Sequence, residues 1–192
     1  MPISTLDPHA ALIVIDLQQG IVGIPVAHPI EGVIANSRRL IDAFRARDLP
    51  VVLVNVNGRP PGRTQESPGG SAAFPAGWDE LIAELEPQPG DLLVTKQTRS
   101  AFPRTGLADR LKSHGVTQVF VAGVSTSGGV ESTVRDAHEE GFHAVAVVDA
   151  MTDPTADRHE HSVTKIFPRI AETGTTDEIL GLLDRIIPTV TG

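Results

Sequence analysis

Residues 118–135 read Gln118-Val-Phe-Val-Ala-Gly-Val-Ser-Thr-Ser-Gly-Gly-Val-Glu-Ser-Thr-Val-Arg135. Val119 to Val124 is nearly all apolar, as a parallel strand covered on both faces must be, and from Val130 onward apolar residues recur at helical spacing. The pattern predicts a strand, a tight turn and a helix. In parallel sheets, ligands bind where strands end, and a helix that starts there points free backbone N–H groups at the ligand. The turn at 123–130 is therefore the first candidate site.

The composition is that of one globular domain, which we expect to span residues 1–192. The chain is 40% hydrophobic and 21% charged, which suits a three-layer core. Its longest apolar runs are too short to cross a bilayer, and its N-terminus lacks a basic segment followed by an apolar one. We therefore expect a cytoplasmic protein without a membrane partner.

Charge and cysteine content exclude several functional classes. A formal net charge of −8 argues against a nucleic-acid partner, which would need a basic face. The chain has no cysteine, so neither a disulfide framework nor a thiol nucleophile is available. No cofactor is expected either, because the glycines at 123 and 128–129 fit neither a dinucleotide fingerprint nor a Walker loop.

Apolar runs alternate with helical patterns along the whole chain. This alternation predicts an α/β fold, with a parallel sheet between helices on both faces. The expected strands are 10–17, 51–56, 91–96, 119–124, 143–150 and 173–176, and the expected helices are 30–48, 77–85, 106–114, 130–141, 157–170 and 177–187.

Two charged residues close predicted strands. Asp16 ends an apolar strand, where a carboxylate is capped, paired or functional because burying it alone is costly. A helix cap or turn remains the alternative for Asp16. Lys96 ends the third strand, a position where lysine is usually solvated.

A long loop at 57–77, rich in proline and glycine, follows the second strand. A loop of this length inside a compact domain is usually functional or disordered. It should lie at the same sheet edge as Asp16, so we interpret it as a lid or specificity loop. Arg59, Arg63 and Trp78 could face a substrate there, or could simply be solvated or packing residues.

No metal site is expected. None of the seven histidines lies between residues 29 and 113, so the second strand is not followed by a histidine cluster. His159 and His161 are two positions apart, and on a helix such side chains diverge rather than chelate one ion.

Three of these segments resemble the isochorismatase-like hydrolases, the cysteine hydrolase superfamily. Gly123 to Thr133 is similar to its signature Gly-Val-x-Thr-Asp-x-Cys-Val-x-x-Thr, with Gly129 at the cysteine position. Asp16-Leu-Gln18 matches an Asp-x-Gln block, and Asp91 to Lys96 followed by Ser100-Ala-Phe102 matches another. The resemblance runs from about residue 9 to residue 185.

The resemblance implies a fold and a set of site residues. The fold is a six-stranded parallel sheet in order 3-2-1-4-5-6, and the protein is a homo-oligomer, a dimer or tetramer. Asp16 is the general acid or base, with Lys96 within about 8 Å as its charge partner. The implied substrate-binding residues are Gln18, Phe102, Ser125, Ser127 and Gly129. A non-proline cis peptide is implied between Val124 and Ser125.

The missing cysteine decides which chemistry the resemblance allows. True isochorismatases resemble this chain in commonly having glycine at position 129, and they hydrolyse a vinyl ether without a covalent intermediate. However, Thr126-Ser127 follows the amidase branch rather than the Ala-His pair of isochorismatases. We therefore expect a hydrolase of a small vinyl ether or amide that works without cysteine. We also expect Gly129→Ala to leave the fold intact, since alanine suits a helix start.

Two other functions remain open. Ser127, Asp149 and His159 have the Ser-Asp-His chain order of a serine hydrolase, but the sequence around Ser125 and Ser127 does not give Gly-x-Ser-x-Gly. The other alternative is a non-catalytic member that binds a small molecule. The retention of both Asp16 and Lys96 argues against it.

Overall fold

Parallel strands form one twisted sheet at the centre of the protein. We describe the protein from a computed structural model, which defines residues 2–65 and 74–185. Within these ranges the sheet has six strands, in the order β3-β2-β1-β4-β5-β6, as predicted. The strands are β1 Ala10–Ile15, β2 Val51–Val56, β3 Leu92–Lys96, β4 Gln118–Val124, β5 His143–Thr152 and β6 Glu172–Gly174.

Helices cover both faces of this sheet. They are α1 Gln19–Val22, α2 Ile30–Arg45, α3 Leu107–Ser113, α4 Glu131–Glu139, α5 Ala156–His161 and α6 Thr176–Leu183. A wide helical turn, Thr126–Val130, leads into α4, and another, Ser162–Ile166, follows α5. Among the described residues, no helix is long and apolar enough to cross a membrane.

The helix predicted over residues 77–85 is wrong. The structure has turns there and a single 3₁₀ turn, Ala83–Leu85, which ends at Glu86 with a positive φ of 42°. The short helix α1 was not predicted. The end of the helix predicted over 177–187 and the Pro68-Gly69-Gly70 part of the long loop lie outside the described residues.

The core consists of two apolar layers, one on each face of the sheet, and the side chains of each strand point alternately into one layer and the other. In β1, Ala11, Ile13 and Ile15 point to the layer under α3 and α4, whereas Ala10, Leu12 and Val14 point to the layer under α2 and α6. All six are buried, which explains why the run shows no polar alternation.

The carboxyl ends of β1 and β4 border the crevice where the strand order reverses. The chain passes outward from β1 to β2 and β3, then returns to place β4 on the other side of β1. Gly123 pairs with Ile15 there at a φ of 111°, and a side chain at this position would collide with the Ile15 backbone. Asp16 also has a positive φ, 53°, so it leaves the strand direction at once. This crevice is where ligands bind in open α/β sheets.

Candidate active site

A cavity of about 500 Å³ opens at this crevice. Residues from the end of β1, the loop after β2, the end of β3 and the turn after β4 line it. Its polar lining includes Asp16, Arg59, Lys96, Thr98, Arg99 and Ser125, and its apolar lining includes Ile21, Ile24, Val26, Val56 and Val124. The cavity has the size and mixed lining of a small-molecule site.

Asp16 and Lys96 form a buried ion pair on the cavity wall. The Lys96 ammonium donates to Oδ2 of Asp16 at 2.7 Å and to the Thr98 carbonyl at 3.1 Å. Both side chains are almost fully buried. The pair joins β1 to β3 across β2, and it confirms the predicted distance limit between the two residues.

Burial raises the pKa of the Asp16 carboxyl to about 6, and the Lys96 ammonium partly opposes that rise. The second carboxyl oxygen of Asp16, Oδ1, is buried and has no hydrogen-bond partner among the described residues. A carboxyl with this pKa can carry a proton near neutral pH, and a proton on Oδ1 would have no acceptor among the described residues.

The turn 126–130 approaches Asp16 through Gly129. A Cβ placed on Gly129 would lie 3.3 Å from Oδ2 of Asp16 and 2.9 Å from Cγ2 of Ile15. Asp16, Lys96 and Gly129 therefore meet at one cavity, as predicted. The peptide bond between Val124 and Ser125 is cis, also as predicted.

Comparison with known proteins identifies the family that the sequence motifs resemble. The family model described as the isochorismatase domain matches residues 10–178. The chain belongs to the isochorismatase family. YwoC of Bacillus subtilis (strain 168), an uncharacterized isochorismatase family protein, is 36% identical over 176 residues, covering 88% of this chain and 92% of YwoC.

An enzyme and a solved structure are also among the relatives of this isochorismatase-family protein. The ureidoacrylate amidohydrolase RutB of Variovorax paradoxus (strain S110) is 31% identical, covering 78% of this chain and 71% of RutB. The structure of an isochorismatase family protein from Burkholderia thailandensis superposes with a TM-score of 0.87 at 34% identity, covering 94% and 98% of the two chains. The protein is therefore a hydrolase of this family.

Three residues that the sequence assigned to substrate binding do not line the cavity of this isochorismatase-family protein. Gln18 is fully buried, and its side-chain amide bonds to Val56 and to the Trp78 carbonyl. Phe102 lies in the core, stacked on Phe142. The Ser127 N–H donates to Asp153. Ser125 and Gly129 do line the cavity.

The backbone donors of the turn are already largely committed. The Ser127 N–H donates to Oδ2 of Asp153 at 2.7 Å, and the N–H groups of Gly128 and Val130 both donate to the Ser125 carbonyl. These three groups cannot hold an oxyanion without giving up a bond. The charged side chains on the cavity wall are therefore better placed to bind a negatively charged group.

Arg99 is a cavity residue that the sequence analysis passed over. A Cβ on Gly128 would lie 3.6 Å from its Nη1, so the guanidinium lies over the turn. Its side chain is exposed, and no acidic partner for it occurs among residues 2–65 and 74–185. The sequence feature that could have identified Arg99 as a site residue is its position, three residues after Lys96 and directly before the Ser100-Ala-Phe102 block.

The serine-hydrolase arrangement does not form. His159 shares a 2.8 Å hydrogen bond with Thr126 rather than with Ser127, and the Asp149 carboxylate accepts from the backbone and hydroxyl of Thr176. Burial, together with the neighbouring His28, lowers the pKa of His159. Within the part of the chain that the structure defines, no group of three or more His, Cys, Asp or Glu side chains could hold a metal ion.

Gly129→Ala should destabilise the protein, contrary to the expectation from helix propensity. The new methyl would press on the buried Ile15 side chain, and overpacking of this kind costs about 1 to 3 kcal/mol. Urea unfolding at neutral pH measures the change. Gly32→Ala is the matched control, because a Cβ at this α2 position meets nothing within 4 Å and should not destabilise. Equal unfolding midpoints for wild type and Gly129→Ala would contradict the tight contact.

Proposed function

We propose that the protein hydrolyses a small organic anion without a covalent intermediate, with Asp16 as the proton-transferring residue and Lys96 as its charge partner. The observation that carries this proposal is the buried Asp16–Lys96 pair, whose carboxyl has a pKa near 6 and lies beside Gly129. A chain without cysteine has no thiol to attack a carbonyl at this position.

A vinyl ether is the substrate group that best suits this pair. Protonated Asp16 gives its proton to the terminal enol carbon, which leaves an oxocarbenium ion. Water then adds to that ion and returns a proton to the Asp16 carboxylate, and the hemiketal collapses to a ketone and an alcohol. Lys96 stabilises the carboxylate between these two transfers. General acid catalysis of this kind contributes about 100- to 10,000-fold.

The charge of the cavity favours an anionic substrate. Asp16 is the only acidic residue among the described residues that line it, and Lys96 already balances that charge. The positive charges of Arg59 and Arg99 are not balanced by any further acidic residue among the described residues that line the cavity, although the formal net charge of the protein is −8. An unbalanced positive cavity in an acidic protein raises the local concentration of small anions.

Amide hydrolysis is the second candidate. The relative RutB is named as an amidohydrolase of ureidoacrylate, and Thr126-Ser127 resembles the amidase branch. Here the ionised Asp16 carboxylate would take a proton from an attacking water molecule. This chemistry needs the opposite protonation state of Asp16, so the pH dependence separates the two candidates.

The test substrates are the methyl enol ether of pyruvate, whose hydrolysis gives pyruvate and methanol, and ureidoacrylate. If Asp16 is a general acid with a pKa of about 6, kcat/KM for the enol ether should fall about tenfold per pH unit above that value. General-base hydrolysis of ureidoacrylate should instead rise as the pH increases toward about 6 and level off above it. A coupled assay for pyruvate measures hydrolysis of the enol ether. Chromatography that follows the loss of ureidoacrylate measures hydrolysis of the amide.

The proposal would be contradicted if the wild-type protein turned over both substrates no faster than the Asp16→Asn variant does. Binding of either acid without any turnover would favour the non-catalytic alternative. A pH profile that is flat between about 5 and 8 would show that Asp16 does not transfer the proton, since burial gives its pKa a value inside that range.

A further inference from the structure

Arg59 belongs to a cluster of rings at the rim of the cavity. Its guanidinium carbon lies 5.1 Å from the centroid of the Phe74 ring. Phe74 in turn stacks on Trp78, with ring centroids 4.0 Å apart and planes inclined by 14°. We call Arg59, Phe74 and Trp78 the rim cluster. A cation over an aromatic ring is attracted by the ring quadrupole, so the rings restrict where Arg59 points.

The rim cluster is fixed to the segment that carries Asp16. The Trp78 carbonyl accepts from the Gly20 N–H at 2.9 Å and from the buried Gln18 amide at 3.1 Å. The indole packs on Gly20 so closely that any Cβ there would collide with it. Gln18 and Gly20 lie two and four residues after Asp16 in the chain. The position of the rings is thereby set relative to the reacting centre.

Arg59 is held on the cavity side of this cluster. Its neighbours Gly58 and Pro60 line the cavity with it, and Gly58 packs against Gln97, leaving no room for a side chain. Over the described ranges, Arg59 has no carboxylate partner to neutralise it. Holding a flexible arginine before a ligand arrives lowers the entropy that binding must overcome.

We propose that Arg59 is a specificity-determining residue that binds a carboxylate of the substrate, and that Phe74 and Trp78 are positioning residues for it. This inference rests on the proposed function, since it assumes a small anionic substrate in the same cavity. A planar guanidinium matches a carboxylate with two parallel hydrogen bonds, which gives both affinity and orientation. The substrate would then lie between this carboxylate contact and the proton of Asp16.

The sole tryptophan reports directly on this cluster. The chain has one tryptophan and no tyrosine, so protein emission comes from Trp78. Titration with the methyl enol ether of pyruvate should change this emission, and the neutral methyl ester of the same acid should bind much more weakly. Arg59→Gln should weaken binding of the acid about 10- to 100-fold, the range for losing hydrogen bonds to a charged group, with no effect on binding of the ester.

Two further variants separate positioning from general damage. Phe74→Leu should raise Kd and KM for the acid about 3- to 10-fold while kcat stays near wild type, because the ring acts through Arg59. Phe74→Tyr keeps the ring face and should restore binding. Arg63→Gln is the charge-matched control, since Arg63 lies in the same loop but does not line the cavity.

The inference and the proposed function fail in different ways. Arg59-dependent binding of the acid without release of pyruvate would support the inference and count against the hydrolase mechanism. Hydrolysis with the same KM in wild type and Arg59→Gln would overturn the inference and leave the mechanism standing. No binding of the acid to the wild-type protein, or equal losses in Arg59→Gln and Arg63→Gln, would also overturn it.

Discussion

Asp16→Asn should lower kcat/KM for the methyl enol ether of pyruvate by about 100- to 10,000-fold, the range of a lost general acid. Asparagine has nearly the same shape, but its amide cannot give a proton to carbon or take one from water. Lys96 keeps its bond to the Thr98 carbonyl, so the cavity wall should persist. Binding of the acid, measured by Trp78 emission, should change far less than turnover.

Asp153→Asn is the control for this variant. Asp153 is also a buried aspartate that follows a strand, β5, but it does not line the cavity. An asparagine oxygen can still accept the Ser127 N–H, so turnover should fall far less than in Asp16→Asn. Similar losses in both variants would mean that Asp16 acts only through the integrity of the turn.

Lys96→Met should destabilise the protein by about 3 to 5 kcal/mol at neutral pH, because it leaves one partner of a buried ion pair behind. The Lys96 ammonium lowers the pKa of Asp16, so its removal should raise that pKa above about 6. An aspartate whose folded pKa lies above the ordinary 3.8 binds extra protons in the folded state. The loss should therefore be largest at neutral pH and shrink as the pH falls toward about 6, where the wild-type carboxyl takes up a proton as well.

Urea unfolding at pH 7 and pH 5 measures both parts of this prediction. The double variant Asp16→Asn, Lys96→Met removes both charges, so its loss should be smaller than the sum of the two single losses. Additive losses, or a Lys96→Met loss that grows on acidification, would contradict a coupled Asp16–Lys96 pair.

The sequence was sufficient to predict the sheet and the turn at its crevice. Nearly continuous apolar runs at 10–15 and 119–124 indicate strands buried on both faces, and glycine with hydroxyl residues after the second run indicates the turn at the crevice. The pairing of Asp16 with Lys96 depended on the family resemblance, because no local pattern shows that residues on β1 and β3 meet across β2.

Side-chain direction beyond the strand ends was not predictable in the same way. Asp16 turns the chain with a positive φ, so the alternation that would place Gln18 on the same side as Asp16 no longer holds. Gln18 instead bonds to Val56 and Trp78, while Phe102 fills the core and Arg99 reaches the cavity. The rim cluster joins residues from both ends of a long loop, a contact that no periodicity encodes.

The place of β3 in the sheet affects how the site responds to partial unfolding. β3 is an edge strand that pairs only with β2 within the described sheet, and its Leu93 side chain faces solvent. Edge elements open locally at a lower free energy than the whole domain. Lys96 closes this strand, so its ion pair with Asp16 fastens the edge to the central strand β1. Fraying of one peripheral strand would therefore separate Lys96 from Asp16 while most of the protein remained folded.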